Sequence, residues 1–274
     1  MIPRSILITG CSSGIGLAAA RTLKSRGWRV IATARKDEDL ARLERDEGVE
    51  AIPLELADQA SIEACTSDAL KRTDGKLLAL YNNAAYGVVG AMEDTPATLL
   101  RDHFQVNVIA ANELARRLIP AMRANRTGRI VNCSSVLGFV SGPYRGAYSA
   151  SKFALEAMTD AMRLEVRDAG IHVSLLEPGP IATSFMATTI ATFRRAIDME
   201  GSVHRDYYRR RIAELEAGGG RFRTGPETVV AKLVHALESP RPKARYRISL
   251  PTHAAAFMKR VLPSSVLDAV VARF

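Results

Sequence analysis

The sequence has 274 residues, of which 47% are hydrophobic and 24% charged, with a formal net charge of +9. This is the profile of a globular chain long enough for one large domain or two small ones. It excludes a bilayer-spanning segment, which needs about 18 consecutive apolar residues. The opening Met1–Gly10 lacks the apolar core and cleavage site of a signal peptide. Cys11, Cys65 and Cys133 are too scattered for a disulfide framework or a zinc site. A cytoplasmic protein without a bound metal is expected. The dispersed arginines accompany no helix-turn-helix, zinc-finger or RNA-binding signature, so no nucleic-acid partner is expected. A positive field that draws an anionic cofactor, or plain solubility, accounts for the charge.

In chain order, Ser5–Thr9 is an aliphatic run that predicts a strand, followed by Gly10-Cys-Ser12-Ser13-Gly14-Ile15-Gly16 and a helical pattern over Leu17–Lys24. Strand, glycine-rich turn and helix form the setting of a dinucleotide-binding loop. Gly10 permits a tight turn, Gly14 admits a pyrophosphate to the backbone, and Gly16 lets helix and strand pack closely. The helix N-terminus offers free N–H groups and the positive end of a dipole. A plain Gly/Ser turn is the alternative, and both flanks argue against it. Trp28–Ala34 predicts a second strand ending at Arg35 and Lys36. An acid there commonly takes a ribose 2′-hydroxyl, whereas Arg accommodates a 2′-phosphate. With Ser12 as a further donor, NADP(H) is predicted over NAD(H); the alternative for Arg35 is a solvated loop charge.

Strands are predicted over Glu50–Leu54 and Leu77–Tyr81, the latter running into Asn82-Asn83-Ala84-Ala85. Residues 96–125 read as one long helical stretch around Asn107. A fifth strand, Gly128–Cys133, runs into Ser134-Ser135. Tyr148 follows Ser135 by thirteen residues, and Lys152 lies four further on. On a helix that spacing puts the two side chains on one face. The ammonium of Lys152 is expected to favour the phenolate of Tyr148 and lower its pKa, making Tyr148 a general acid or base.

The G-x-x-x-G-x-G spacing of Gly10–Gly16 and Tyr148-Ser-Ala-Ser-Lys152 together resemble the short-chain dehydrogenase/reductase family, over about residues 5–250. The resemblance implies a tetrad of Asn107, Ser135, Tyr148 and Lys152. Ser135 would donate to the substrate oxygen, and Lys152 would also bond the nicotinamide ribose. Asn107 would kink its helix and hold a water in a relay to Lys152. Asn83 and Ala84 belong to the family's N-N-A-G motif, in which Ala85 here replaces the glycine. Glu55 stands where relatives often carry Asp at the adenine edge, with Asp58 as a substitute. Ile171–Leu176 predicts a sixth strand. Pro178-Gly179-Pro-Ile181-Ala-Thr183 then matches P-G-x-I-x-T, with Thr183 expected to reach the carboxamide or the pyrophosphate.

Residues 184–222 show the least regular pattern, with Phe185, Met186, Phe193, Tyr207, Tyr208 and six arginines between 194 and 211, ending in Gly218-Gly219-Gly220. They predict a lid over a hydrophobic substrate, hinged at the glycines. The alternative is a helical pair whose aromatics pack into the domain. His204 and the segment Ser239–Tyr246 are similar to the steroid- and retinol-type members of the family, which implies a bond from His204 to a distal substrate hydroxyl; a solvated histidine is the alternative. Pro226–Glu238 predicts a helix and Arg245–Leu250 a seventh strand. For the tail, Thr252–Phe274, three uses are ranked: packing over the cleft, a subunit interface, and a membrane-surface anchor.

The expected architecture is α/β, one doubly wound Rossmann-type domain spanning 1–274 with a seven-stranded parallel sheet and a helical lid. The cofactor half is about 1–130, the catalytic and substrate half about 131–250, the lid about 184–222 and the tail 251–274. The expected activity is NADP(H)-dependent interconversion of a ketone or aldehyde and an alcohol on a lipophilic small molecule. Reduction of a 3-oxoacyl thioester and a non-catalytic NADP(H) sensor are the alternatives. By resemblance, the helices at 96–125 and 147–168 pair between subunits, implying a homodimer or homotetramer.

Overall fold

A computed structural model describes residues 2–216 and 224–272. The Gly218–Gly220 hinge and Arg273 lie outside the described residues. Seven parallel strands form one sheet: β1 (Ser5–Ile8), β2 (Arg29–Ala34), β3 (Glu50–Pro53), β4 (Ala79–Asn82), β5 (Gly128–Cys133), β6 (Ile171–Pro178) and β7 (Arg245–Ile248). Their order across the sheet is β3-β2-β1-β4-β5-β6-β7. Winding reverses between β1 and β4, and ligands of such sheets bind at the carboxyl ends of the strands beside that reversal.

The strands are buried on both faces, so they read as continuous apolar runs rather than alternating ones. Within β1, Ile6 and Ile8 face α1 (Gly14–Ser25), α2 (Asp37–Glu47) and α9 (Pro226–Glu238), through Ala20, Leu23, Leu43 and Leu233. Leu7 faces the other way, towards α3 (Gln59–Arg72), α5 (Ala110–Ala124) and α6 (Gly146–Glu165), through Ile62, Leu114 and Met162. Each fully buried Leu or Ile contributes roughly 1.5–3 kcal/mol from area removed from water.

Three elements depart from the sequence expectations. The stretch 96–125 is α4 (Ala97–Phe104), a π-helical turn over Gln105–Ile109, and α5. The π turn places an extra residue in the helix at Asn107, a device common at functional sites. β7 stops at Ile248 rather than Leu250. Ser249 takes φ +94 there, and Pro251 lies in the first turn of α10 (Leu250–Val261). Of residues 184–222, the described part, 184–216, is more regular than its sequence suggests, forming α7 (Phe185–Ala196) and α8 (Arg205–Glu216). Arginines occupy much of their surface, which masks a short apolar face carrying the buried Phe193 and Tyr208. The chain ends in α11 (Ser264–Val271). No helix among the described residues is long and apolar enough to cross a membrane.

Candidate active site

The glycine loop joins β1 to α1 at the winding reversal. Gly10 and Gly14 take positive φ, +72 and +59. A Cβ on Gly16 would lie 2.1 Å from the Gly10 carbonyl oxygen, so close packing of helix on strand requires glycine there. Ser13 precedes α1 without a side-chain cap, leaving first-turn N–H groups for an outside acceptor. Thr9 and Asn83 hold the loop. The Thr9 hydroxyl accepts from the N–H groups of Asn83 and Ala84, each at 2.9 Å, and Asn83 Nδ2 donates to the Thr9 carbonyl at 2.9 Å. The uncapped amides and the glycine-lined surface fit the pyrophosphate of a dinucleotide.

At the end of β2, Arg35 is 73% exposed, with Glu55 3.9 Å away. Glu55 also accepts from the Ala57 N–H at 3.0 Å, and Asp58 caps α3 by accepting from Ala60 N–H at 3.0 Å. Both acids suggested for the adenine edge are thus engaged in local turns. Arg42 of α2, which the sequence reading missed, donates to the Ser12 carbonyl at 2.6 Å and to Asp39 at 2.7 Å. It therefore stands as a second cation against the loop. Its signal was the loss of an otherwise solvated helix position to a loop 30 residues upstream, which sequence spacing does not show.

On the other side of the reversal, β5 delivers Ser135 and α6 delivers Tyr148 and Lys152. Lys152 is 2% exposed and donates to the Cys133 carbonyl at 2.8 Å, with its ammonium 5.7 Å from the centre of the Tyr148 ring. Burial, the largest influence, raises the Tyr148 pKa above the usual phenol range, while a hydrogen bond with Ser135 and the charge of Arg145 pull it down. The expected lowering by Lys152 is therefore not what sets this phenol. Desolvation opposes the phenolate more strongly than an ammonium that is itself buried favours it. The Tyr148 proton is accordingly held at neutral pH. Burial likewise lowers the Lys152 pKa.

Asn107 is 2% exposed. Its Oδ1 accepts from Tyr86 N–H at 3.1 Å, and Nδ2 donates to the Tyr86 carbonyl at 2.9 Å. The side chain thus ties the π turn to the loop after β4. The end of β6, at Pro178, and the loop after it, with Gly179, Ile181 and Thr183, lead back over the glycines. A Cβ on Gly14 would come within 3.2 Å of Thr183, and Ser184 shares a 2.8 Å hydrogen bond with Ser13. Phe185 begins α7 edge-on to Tyr148, ring centres 5.6 Å apart, while Met186 beside it is half-buried.

His204 lies apart from the tetrad, at the start of α8. Its Nδ1 is 3.2 Å from the Tyr144 hydroxyl and its Nε2 is 2.7 Å from Glu93. Both ring nitrogens have protein partners, so a substrate hydroxyl would have to displace one of them. Tyr208 is buried, donating to Asp94 at 2.5 Å and accepting from Ala91 N–H at 2.8 Å. It anchors α8 to the domain, the alternative weighed for these aromatics, while Phe185 covers Tyr148.

A model of the short chain dehydrogenases matches residues 4–193. The chain belongs to this family. Among its relatives, this short-chain dehydrogenase is 40% identical over 271 residues to an uncharacterized oxidoreductase, YbbO, of Escherichia coli K12, covering 99% of this chain and 95% of that one. It is 32% identical to human retinol dehydrogenase 8, covering 97% and 88% of the two chains. Among solved structures, a short-chain dehydrogenase/reductase of Burkholderia phymatum in complex with NAD superposes with a TM-score of 0.80 at 25% identity, covering 94% and 92%. A metagenomic short-chain oxidoreductase in complex with NADP superposes with a TM-score of 0.69 at 26% identity, covering 91% and 99%.

Proposed function

We propose that this short-chain dehydrogenase uses NADP(H) to interconvert a ketone or aldehyde and an alcohol on a lipophilic small molecule. The observation that carries the proposal is the placement of Tyr148, half-buried and edge-on to Phe185, with the Lys152 ammonium 5.7 Å from its ring centre. When bound, the nicotinamide supplies or accepts the hydride. In reduction, negative charge grows on the carbonyl oxygen, where the Ser135 hydroxyl donates a hydrogen bond and Tyr148 delivers its proton. The raised phenol pKa suits that direction, because the acid is loaded at neutral pH. Lys152, fixed by the Cys133 carbonyl, limits the cost of the phenolate left behind. Phe185, edge-on to Tyr148, puts an apolar side chain beside the phenol, which supports a lipophilic substrate, as does the likeness to retinol dehydrogenase 8.

Structural neighbours carry NAD in one case and NADP in another, so the cofactor choice rests on Arg35 and Arg42. A guanidinium at the end of β2 suits a phosphate. Arg35→Glu is expected to weaken NADPH binding roughly 10- to 100-fold, the worth of a charge-assisted hydrogen bond and its reversal, while NADH binding changes little. Fluorescence titration of both cofactors checks this, and unchanged NADPH affinity would overturn the assignment.

The activity itself is tested by following NADPH and NADH oxidation against a steroid ketone, retinal, an aryl ketone and a 3-oxoacyl thioester. Turnover confined to the thioester would favour an acyl-chain reductase. NADPH binding without turnover of any of them would favour a sensor.

A further inference from the structure

His103, in the last turn of α4, is fully buried yet has no part in the tetrad. Its Nε2 lies 3.2 Å from Asn107 Nδ2 and 3.2 Å from Ser151 Oγ. The hydrogen bonds around it select one tautomer. Tyr86 N–H requires Asn107 Oδ1 as its acceptor, so the amide end of Asn107 faces the imidazole. One amide hydrogen goes to the Tyr86 carbonyl and the other points at Nε2. Ser151 Oγ donates to the Tyr148 carbonyl at 2.8 Å, so its hydrogen is already committed. Nε2 must therefore be the bare acceptor and Nδ1 must carry the hydrogen.

The ring stands between the π turn and α6. It meets Tyr86 edge-on at 4.9 Å and lies 6.1 Å from the Tyr148 ring. The titratable groups facing it are Tyr86 from the loop after β4, and Tyr148 and Lys152 from α6. Burial and the Lys152 charge push its pKa down to about 4, so no second cation competes with Lys152 at neutral pH. A plain packing role would be filled better by Leu or Phe. Histidine leaves Nδ1 buried without a partner among the described residues, a cost an apolar side chain does not carry.

We propose that His103 is a positioning residue of the active site: as a neutral Nδ1–H imidazole it orients the Asn107 carboxamide and sets the spacing between the π turn and the helix that carries Tyr148 and Lys152. The proposal rests on the catalytic reading of Tyr148, through which His103 acts. Leucine at 103 removes the acceptor for Asn107 and frees its amide to turn over. Glutamine keeps a carbonyl acceptor at comparable reach.

The test compares full-length wild type, His103→Leu, His103→Gln and Tyr148→Phe on the carbonyl of the panel that wild type reduces fastest. His103→Leu is expected to lose about 10- to 100-fold in kcat, the scale set by a small misplacement of a reacting group. Its KM and NADPH affinity should change by less than about 3-fold on the same argument. The limbs of its kcat/KM pH profile should move, and His103→Gln should recover most of the loss. Wild-type kcat and pH profile in a folded His103→Leu, or equal losses in the Leu and Gln variants, would overturn the proposal. Undiminished turnover in Tyr148→Phe would instead overturn the catalytic reading. Independently of any substrate, nitrogen NMR of the histidines should show His103 as the Nδ1–H tautomer at neutral pH. An Nε2–H tautomer or an imidazolium there would overturn the geometry.

Discussion

Tyr148→Phe should retain NADPH affinity within about 3-fold and lose turnover by roughly 10²–10⁴-fold, the usual contribution of a positioned general acid. Phe keeps the ring, its contact with Phe185 and the packing under Lys152, so the loss isolates the hydroxyl. The raised phenol pKa sharpens the expectation. A group that holds its proton at neutral pH releases it only to a partner becoming more basic, as a carbonyl oxygen does when hydride arrives. Stopped-flow reduction of the best carbonyl, with cofactor titration alongside, checks both halves. Turnover near that of wild type would show that the proton comes from elsewhere.

Arg245→Met should destabilise the fold by roughly 3 kcal/mol, because it strips the partner from buried carboxylates. Arg245, on the edge strand β7, binds Glu177 at 2.9 Å and also Glu156 and Asp160 of α6. Glu177 is 1% exposed and Glu156 6%. Arg247, 3.4 Å from Glu177, remains as partial compensation. For a chain of this size the midpoint of thermal unfolding should fall by roughly 5 °C. Loss of only a degree or two would mean that the cluster relaxes or takes up protons without strain.

The same cluster predicts a pH dependence. Burial, followed by the repulsion of Glu177, raises the Glu156 pKa to about 7 against the pull of Ser134 and Arg245. A carboxyl whose folded pKa exceeds its unfolded value binds more protons folded than unfolded between the two. Its contribution to stability is therefore complete below the unfolded value, near 4.5, and is lost as pH rises through about 7. Glu156→Gln, neutral throughout, should flatten that decline. Denaturant midpoints of both proteins from pH 5 to pH 8 make the comparison, and parallel curves would remove Glu156 from the account.

The strands and the glycine loop were legible in the sequence because they depend on short-range patterns: apolar runs, glycine spacing and the step from strand to helix. The Tyr148, Lys152 and Ser135 positions were legible for the same reason. What escaped depends on which distant segments meet. Arg42 reads as the polar face of α2 until α2 is laid against Ser12. His103 reads as one residue of an amphipathic helix, and only the π turn and α6 together bring partners to its Nε2. Glu177 sits in the run Leu175-Leu176-Glu177-Pro178, and nothing local pointed to its burial or to Arg245, 68 residues on. The phenol pKa was misjudged because a one-turn spacing shows a neighbour's charge and not the water both groups lose.

The first turn of α7 touches two places at once. Ser184 is bonded to Ser13 in the glycine loop, and Phe185 covers the Tyr148 ring. Neighbours on one rigid turn cannot part from their contacts independently, so work done at either contact is felt at the other. A ligand at the glycine loop and one over Tyr148 would both press on this turn, and by thermodynamic reciprocity any coupling between them would act equally in both directions.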